Sequence, residues 1–344
     1  MTTKMRSEIA EQPAALRATL DALLPRVDEV EALAARTRHL VFVARGTSDN
    51  AAVYGRYLVE AYAGRMAGLA APSIATTYKR KIDLSGALAV GLSQSGRTEE
   101  IVETLAWAKD CGAATVAITN GGAGSPLAQA ADLALCTEAG VEEAVPATKT
   151  YTTQLAALAV LALGLGADVK ADDLARVPDA VEELVADPGD LDAVVEGLAG
   201  VAGVVVSGRG MAFSTALETA LKLKEACYLH AMGLSYADLL HGPIAVVDRD
   251  TPALLVAAGE GPTLPGTVAL ARRVTGAGAA AYAVGGGAEL AGAATAALNG
   301  PALPEWVAPM GLIVPGQLLT EALARRLGHD PDSPRGLNKV TQTE

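Results

Sequence analysis

Three short stretches of this 344-residue sequence hold residue types that could do chemistry together. The first is Ser93-Gln94-Ser95-Gly96-Arg97-Thr98, which gathers hydroxyls, an amide and a glycine into one loop. Placed ahead of a helix, such a loop adds free backbone N–H groups and the positive end of the helix dipole, a set that suits a phosphate monoester. Ser and Thr are also favoured helix N-caps, so capping alone would account for the same residues. Ser48, beside a comparable Gly46-Thr47 turn, would face the same cleft, and two such turns favour the phosphate. The second stretch, Leu221-Lys222-Leu223-Lys224-Glu225, ends a helical pattern with two lysines and a carboxylate. By periodicity it reads first as a solvated charged face. The third is His241-Gly242-Pro243, a histidine where a loop turns, available for acid–base work. His39 begins a strand and His230 caps or packs, so neither is given a role.

The elements that must position these residues follow a regular order. An amphipathic helical stretch, Pro13 to Ala35, precedes a short apolar run, Leu40 to Ala44, which enters Arg45-Gly46-Thr47-Ser48-Asp49 and a helix through Ala63. Ala87 to Leu92 enters the hydroxyl loop and a helix to about Asp110; Thr115 to Ile118 enters Asn120-Gly121-Gly122 and a helix near Leu127. Leu133 to Thr137 is a further strand, and Thr148 to Leu165 is a long apolar helix. Strands alternating with helices through short loops predict a parallel sheet covered on both faces. After a more charged helical connector, Val201 to Val206 runs into Ser207-Gly208-Arg209-Gly210 and a helix through Glu225, echoing the first strand, turn and helix. Leu254 to Ala257 and Ala280 to Val284 add strands, and a polar tail from Asp330 is either frayed or folded over something.

Composition narrows the classes. At roughly 150 residues per domain the chain holds two domains, and 51% apolar against 19% charged residues makes it globular rather than disordered. A net charge of −12 repels phosphate backbones, so neither nucleic acid nor an anionic membrane is an expected partner. Cys111, Cys136 and Cys227 are scattered and form no Cys-x-x-Cys pair, which points to a reducing compartment and no zinc or other metal. Met1 to Gln12 holds no apolar signal region, and runs such as Leu155 to Leu165 fall short of the roughly 20 residues of a membrane span. A cytoplasmic protein is expected.

Taken in order, Gly46-Thr47-Ser48, Ser93-Gln94-Ser95-Gly96, Ala147-Thr148-Lys149, Leu221-Lys222-Leu223-Lys224-Glu225, His241-Gly242-Pro243 and Asp332-Ser333-Pro334-Arg335-Gly336-Leu337-Asn338-Lys339 resemble the sugar isomerase (SIS) family, in the arrangement of the isomerase half of glucosamine-6-phosphate synthase. The resemblance covers nearly the whole chain. It implies an α/β fold of two tandem SIS domains, each a parallel five-stranded sheet between helices in a flavodoxin-like three-layer sandwich. The expected divisions are a helical segment 1–35, a first domain 36–168, a connector 169–194, a second domain 195–329 and a tail 330–344 over the active site. It further implies that Ser48, Ser93, Gln94, Ser95 and Thr98 cradle a sugar 6-phosphate, with Gly46, Thr47, Val145 and Ala147 also binding substrate. Glu225 would move a proton between C1 and C2, His241 would assist ring opening from the neighbouring subunit of a homodimer, Lys339 would reach the carbonyl carbon or its oxygen, and Lys222 would sit close by. No cofactor is implied.

Two departures from the synthase bear on substrate. The chain begins Met1-Thr2-Thr3 without a glutaminase part led by a cysteine, so no release of ammonia from glutamine is expected. Pro146-Ala147 stands where the synthase carries a small residue and a serine near the sugar hydroxyls. The resemblance thus implies a deaminase/isomerase of glucosamine 6-phosphate or a close relative. An N-acetylglucosamine-6-phosphate dehydratase, expelling the C3 hydroxyl after loss of the C2 proton, is the alternative in the same site. A non-catalytic sugar-phosphate sensor is the alternative of another class.

Overall fold

The computed structural model describes residues 2–339 and contains two compact units. Among the described residues, one unit comprises 14–142, 149–175 and 338–339, and the other comprises 2–13, 143–148 and 176–337. Each is built on its own five-stranded, all-parallel sheet.

In the first unit β1 (His39–Val43), β2 (Met66–Leu69), β3 (Ala87–Ser93), β4 (Ala114–Thr119) and β5 (Leu133–Cys136) lie in the order β2-β1-β3-β4-β5. The central β3 is buried along its whole length, as a strand covered on both faces must be. From β1 the chain goes to β2 on one side and returns to β3 on the other. The switch point, where ligands enter such sheets, therefore lies at the carboxyl ends of β1 and β3. Helix Lys149–Gly164 packs against helix Thr47–Tyr62 and is buried on nearly every side. Such all-round apolarity marks a core helix rather than a surface one.

In the second unit β6 (Gly203–Gly208), β7 (His230–Ser235), β8 (Ala253–Ala257), β9 (Ala281–Gly285) and β10 (Ala296–Leu298) lie in the order β10-β9-β8-β6-β7, which repeats the first topology strand for strand. Helix Ala212–Cys227 packs on β6 and β7 and against helix Pro309–Arg326, whose Thr320 carbonyl accepts from Cys227 Sγ at 3.4 Å. The amino-terminal helix Lys4–Ala10 belongs here too: the Lys4 and Met5 amides each donate to Asp332 carboxylate oxygens at 2.8 Å. The polar tail is thus fastened at Asp332, whose own carbonyl accepts from the Val145 amide at 2.9 Å. Of the expected tail 330–344, residues 340–344 lie outside the described residues. Among the described residues no helix is long and apolar enough to cross a membrane.

The sequence expectations place both sheets and the edge strand β5, and omit the edge strands β2, β7 and β10. The helical stretch expected over Pro13 to Ala35 is divided at Leu24-Pro25-Arg26, a single 3-10 turn between helices Gln12–Leu23 and Val27–Ala34.

Candidate functional site

In the first unit the two hydroxyl-bearing turns flank the sheet's switch point. The loop after β3 is knitted by its own groups: Gly96 N donates to Ser93 Oγ and Arg97 N to Ser95 Oγ, both at 3.2 Å. Gln94 O accepts from the Asn120 amide at 3.1 Å, and Gly96 O from the Leu127 amide at 3.0 Å, which locks this loop onto the one after β4. Glycine is required at two points of that contact. Gly96 has φ +63° and a Cβ there would lie 2.5 Å from Ser125 Oγ, while a Cβ on Gly121 would lie 2.3 Å from Ser95 O.

The capping account of these hydroxyls fails where it should be strongest. Thr98 is the N-cap of helix Glu99–Asp110, yet its side chain makes no capping bond and lies 3.3 Å from Ser93 Oγ. Ser93 is buried, Gln94, Ser95 and Thr98 are half-buried, and Arg97 is exposed. The turn after β1 brings buried Ser48 into the first turn of helix Thr47–Tyr62, behind Gly46 at φ +57°. Arg45 Nη2 pairs with Glu100 Oε1 at 2.9 Å and ties the two turns together. Burial raises the Asp49 carboxyl above its ordinary range, with Arg45 pulling it back.

Two residues of this unit escaped the sequence reading. Gln154, on the buried helix Lys149–Gly164, donates from Nε2 to Ser48 Oγ at 3.0 Å, and both side chains are buried. With a lone pair so engaged, the Ser48 hydroxyl has its proton free to donate elsewhere. The run Thr152-Thr153-Gln154 inside an apolar helix was the available signal. The other is Glu142, whose fully buried carboxylate accepts from Thr150 N at 3.1 Å, from Thr150 Oγ1 at 2.7 Å and from Lys339 Nζ at 2.6 Å. No local pattern marks it, since Val141-Glu142-Glu143 reads as an exposed turn.

In the second unit the charged helix end is not a solvated face. Lys222 is 1% exposed and lies between two carboxylates of its own helix, Glu225 Oε2 at 2.6 Å and Glu218 Oε1 at 3.4 Å, with Glu218 fully buried. Glu225 keeps about a quarter of its side chain accessible, 23%. Only Lys224 turns outward. The helix stops at Tyr228, in the left-handed region at φ 57°, whose hydroxyl accepts from the Arg335 amide at 2.9 Å while the Arg335 guanidinium lies over the ring at 4.2 Å. The tail is therefore held three residues beyond Glu225.

His241 caps the carboxyl end of the short helix Tyr236–Leu240, exposed, its amide donating to Asp238 O at 3.1 Å. Val145 and Ala147 are half-buried and Pro146 is buried. His39 opens β1 as expected, and His230 opens β7. A cavity of about 870 Å³ lies at the carboxyl ends of β8 and β9, lined by Glu183, Asp187, Glu260 and Gly285 to Gly287. Its exposed acidic rim has none of the hydroxyls of the loop after β3, and the chemistry described above is absent from it.

The model of the SIS domain matches residues 34–164, the stretch that carries both hydroxyl turns. The crystal structure of a candidate phosphosugar isomerase from Silicibacter pomeroyi DSS-3 is 33% identical, with a TM-score of 0.87 over 96% of this chain and 100% of that one. The chain belongs to the SIS-domain family. Two other relatives agree. The carboxyl-terminal domain of glucosamine-fructose-6-phosphate aminotransferase from Francisella tularensis is 29% identical with a TM-score of 0.83, over 97% of this chain and 99% of that domain. The glutamine–fructose-6-phosphate aminotransferase (isomerizing) of Pyrococcus horikoshii is 33% identical over 99% of this chain and 58% of its own length. The chain thus spans somewhat over half the length of the curated relatives it matches. The parallel strand orders of the two sheets are those of a SIS tandem, as the full-length match to the Silicibacter structure requires.

Proposed function

We propose that this SIS protein is an enzyme acting on an amino-sugar 6-phosphate, glucosamine 6-phosphate or a close relative, as a deaminase/isomerase that uses no glutamine. The observation that carries the reading is the Lys222–Glu225 pair, because a sensor of sugar phosphates has no use for a buried ammonium beside a part-exposed carboxylate. The hydroxyl loop at the first sheet's switch point supports it by supplying the phosphate cradle of Ser48, Ser93, Gln94, Ser95 and Thr98, with Gly46, Thr47, Val145 and Ala147 completing the binding set.

In this reading His241, contributed by the partner subunit of a homodimer, assists opening of the sugar ring. Glu225 removes the C2 proton, and the charge that develops on the C1 oxygen is met by the ammonium of Lys339, with Lys222 holding Glu225. Return of the proton to C1 leaves a C2 imine. Water adds to that imine and ammonia departs, so glucosamine 6-phosphate and water give fructose 6-phosphate and ammonia, with no change of oxidation state overall. An acylated C2 nitrogen cannot leave this way, and the same proton removal would then expel the C3 hydroxyl.

The test is incubation of the purified protein, without glutamine, with glucosamine, N-acetylglucosamine, glucose and fructose 6-phosphates. Ammonia and ketose from the first substrate support the proposal. A new ultraviolet chromophore from the acetylated sugar, without ammonia, replaces it by the dehydratase. Tight binding with no turnover of any of the four makes the protein a sensor.

A further inference from the structure

Lys339 lies in the polar tail that follows helix Pro309–Arg326, outside any helix or strand. The side chain that meets it is Glu142, which lies just before the long buried helix and has no exposed side-chain surface. A carboxylate buried to that degree must be matched by donors. Its donors include the Thr150 amide at 3.1 Å and hydroxyl at 2.7 Å on the helix side, and Lys339 Nζ at 2.6 Å. The two Thr150 bonds come from the first turn of a helix that is packed on nearly all sides, so they fix the carboxylate in place. Oε2 accepts from both the Thr150 hydroxyl and Lys339 Nζ, so the oxygen that meets the ammonium is itself held by the helix. The lysine is only about a quarter exposed, 24%, so the contact is shielded from screening as an open surface pair is not.

We infer that Glu142 is the positioning residue for the tail lysine: it fixes where the Lys339 ammonium stands, through a charge-assisted bond whose acceptor is anchored by Thr150. The catalytic meaning of this rests on the role proposed for Lys339; the holding itself does not. A lysine released from such an anchor is displaced by more than the ångström that commonly costs about 10²-fold in rate. Glu142 therefore matters to turnover although it is given no contact with substrate.

The experiment is a double-mutant cycle with Glu142→Gln and Lys339→Ala in the full chain, read by turnover of glucosamine 6-phosphate and, independently of any substrate, by hydrogen exchange of the peptide covering 330–339. Glu142→Gln is expected to lower kcat by about 10–10² with little change in KM, and to add less than about twofold to the loss already present in Lys339→Ala. Exchange in the tail peptide should quicken by a similar factor in either single variant. If Glu142 merely stabilised the buried helix, its effect would add in full to that of Lys339→Ala and track a lowered Tm, and the inference would fall. Unchanged tail exchange in Glu142→Gln would overturn it equally. Should the wild-type protein turn over none of the sugar phosphates, the proposed function fails, and the exchange arm still decides whether Glu142 holds the tail.

Discussion

Replacement of Glu225 by glutamine separates a reacting carboxylate from a structural one. The substitution preserves volume and one hydrogen-bond acceptor and removes the negative charge. In the folded protein Lys222 loses its partner at 2.6 Å and keeps Glu218 at 3.4 Å. Removing one charged partner while another remains costs on the order of 1–3 kcal/mol of stability, which for a chain of this size moves Tm by roughly 2–4 °C per kcal/mol. The variant should therefore fold. Its chemistry should suffer far more, because a proton-transferring carboxylate contributes a factor of about 10²–10⁴, equivalent to about 2.7–5.4 kcal/mol of barrier at 1.36 per decade.

The assay is exchange of the C2 hydrogen of glucosamine 6-phosphate with deuterated water, followed by NMR. Exchange is common to isomerisation, deamination and dehydration and is blind to which product forms. Lys224→Gln, on the exposed face of the same helix, serves as the control and should leave exchange unchanged. Wild-type exchange rates from a folded Glu225→Gln protein would refute the assignment of the base, whatever else the protein does.

Ser95→Ala combined with Thr98→Ala should raise KM for a phosphorylated sugar at least tenfold with kcat within about threefold, since phosphate contacts are made alike in ground and transition states; steady-state kinetics checks it, and a collapse of kcat at constant KM would give the loop a part in the chemistry. Gln154→Leu should weaken competitive inhibition by inorganic phosphate about five- to tenfold, because Ser48 Oγ then loses the amide that orients it; an unchanged inhibition constant would leave Gln154 a packing residue. For the proposed homodimer with shared sites, mixing inactive Glu225→Gln and His241→Ala proteins should restore part of the activity once subunits exchange, and no recovery after verified exchange would place His241 outside the partner's site. Burial pushes the Cys227 thiol up to about 12. The unfolded chain gives up that proton first, so the contribution is present below the ordinary thiol value and stability should fall as pH rises from there to about 12. Thermal melts across that range check the sign, as does the absence of Cys227 labelling by a thiol reagent near neutral pH in the native protein.

How much of this was legible in the sequence depends on what each element had to bury. β1, β3, β4, β6, β8 and β9 are apolar runs entering Gly-rich or hydroxyl-rich turns, and strands buried on both faces leave that mark wherever they occur. β2, β7 and β10 all lie at sheet edges, where one side needs no partner. Met66-Ala67-Gly68-Leu69 is half exposed, His230 to Ser235 contains Gly233, and β10 is three residues long. None has the alternation or apolar length that marks a strand, and only hydrogen bonds to a neighbour distant in sequence make them strands. The hydroxyl loops were legible because glycine and serine in a strand-to-helix turn are a local signature. Glu142 and Gln154 were not, because their importance comes from partners at Thr150, Lys339 and Ser48 that no local pattern brings together.

The charged end of helix Ala212–Cys227 shows why periodicity misjudged it and why that error is informative. Lys222 and Glu225, three apart, form the kind of pair that decorates exposed helices, and Lys222 with Glu218, four apart, forms another. What periodicity cannot see is that the face bearing Glu218 and Lys222 is buried, with Glu225 partly open and Lys224 in solvent. Burial reverses the energetic meaning of the residues. An exposed pair adds a few tenths of a kcal/mol, whereas taking a lysine and a glutamate out of water is costly enough that apolar residues of the same volume would often serve stability as well or better. Stability therefore does not account for a fully buried Glu218 and Lys222 carrying a carboxylate that stays partly open to solvent. The proposed chemistry does, since it calls for a fixed, charged Glu225 held by Lys222, and this is why the glutamine substitution at Glu225 is the measurement on which that proposal stands.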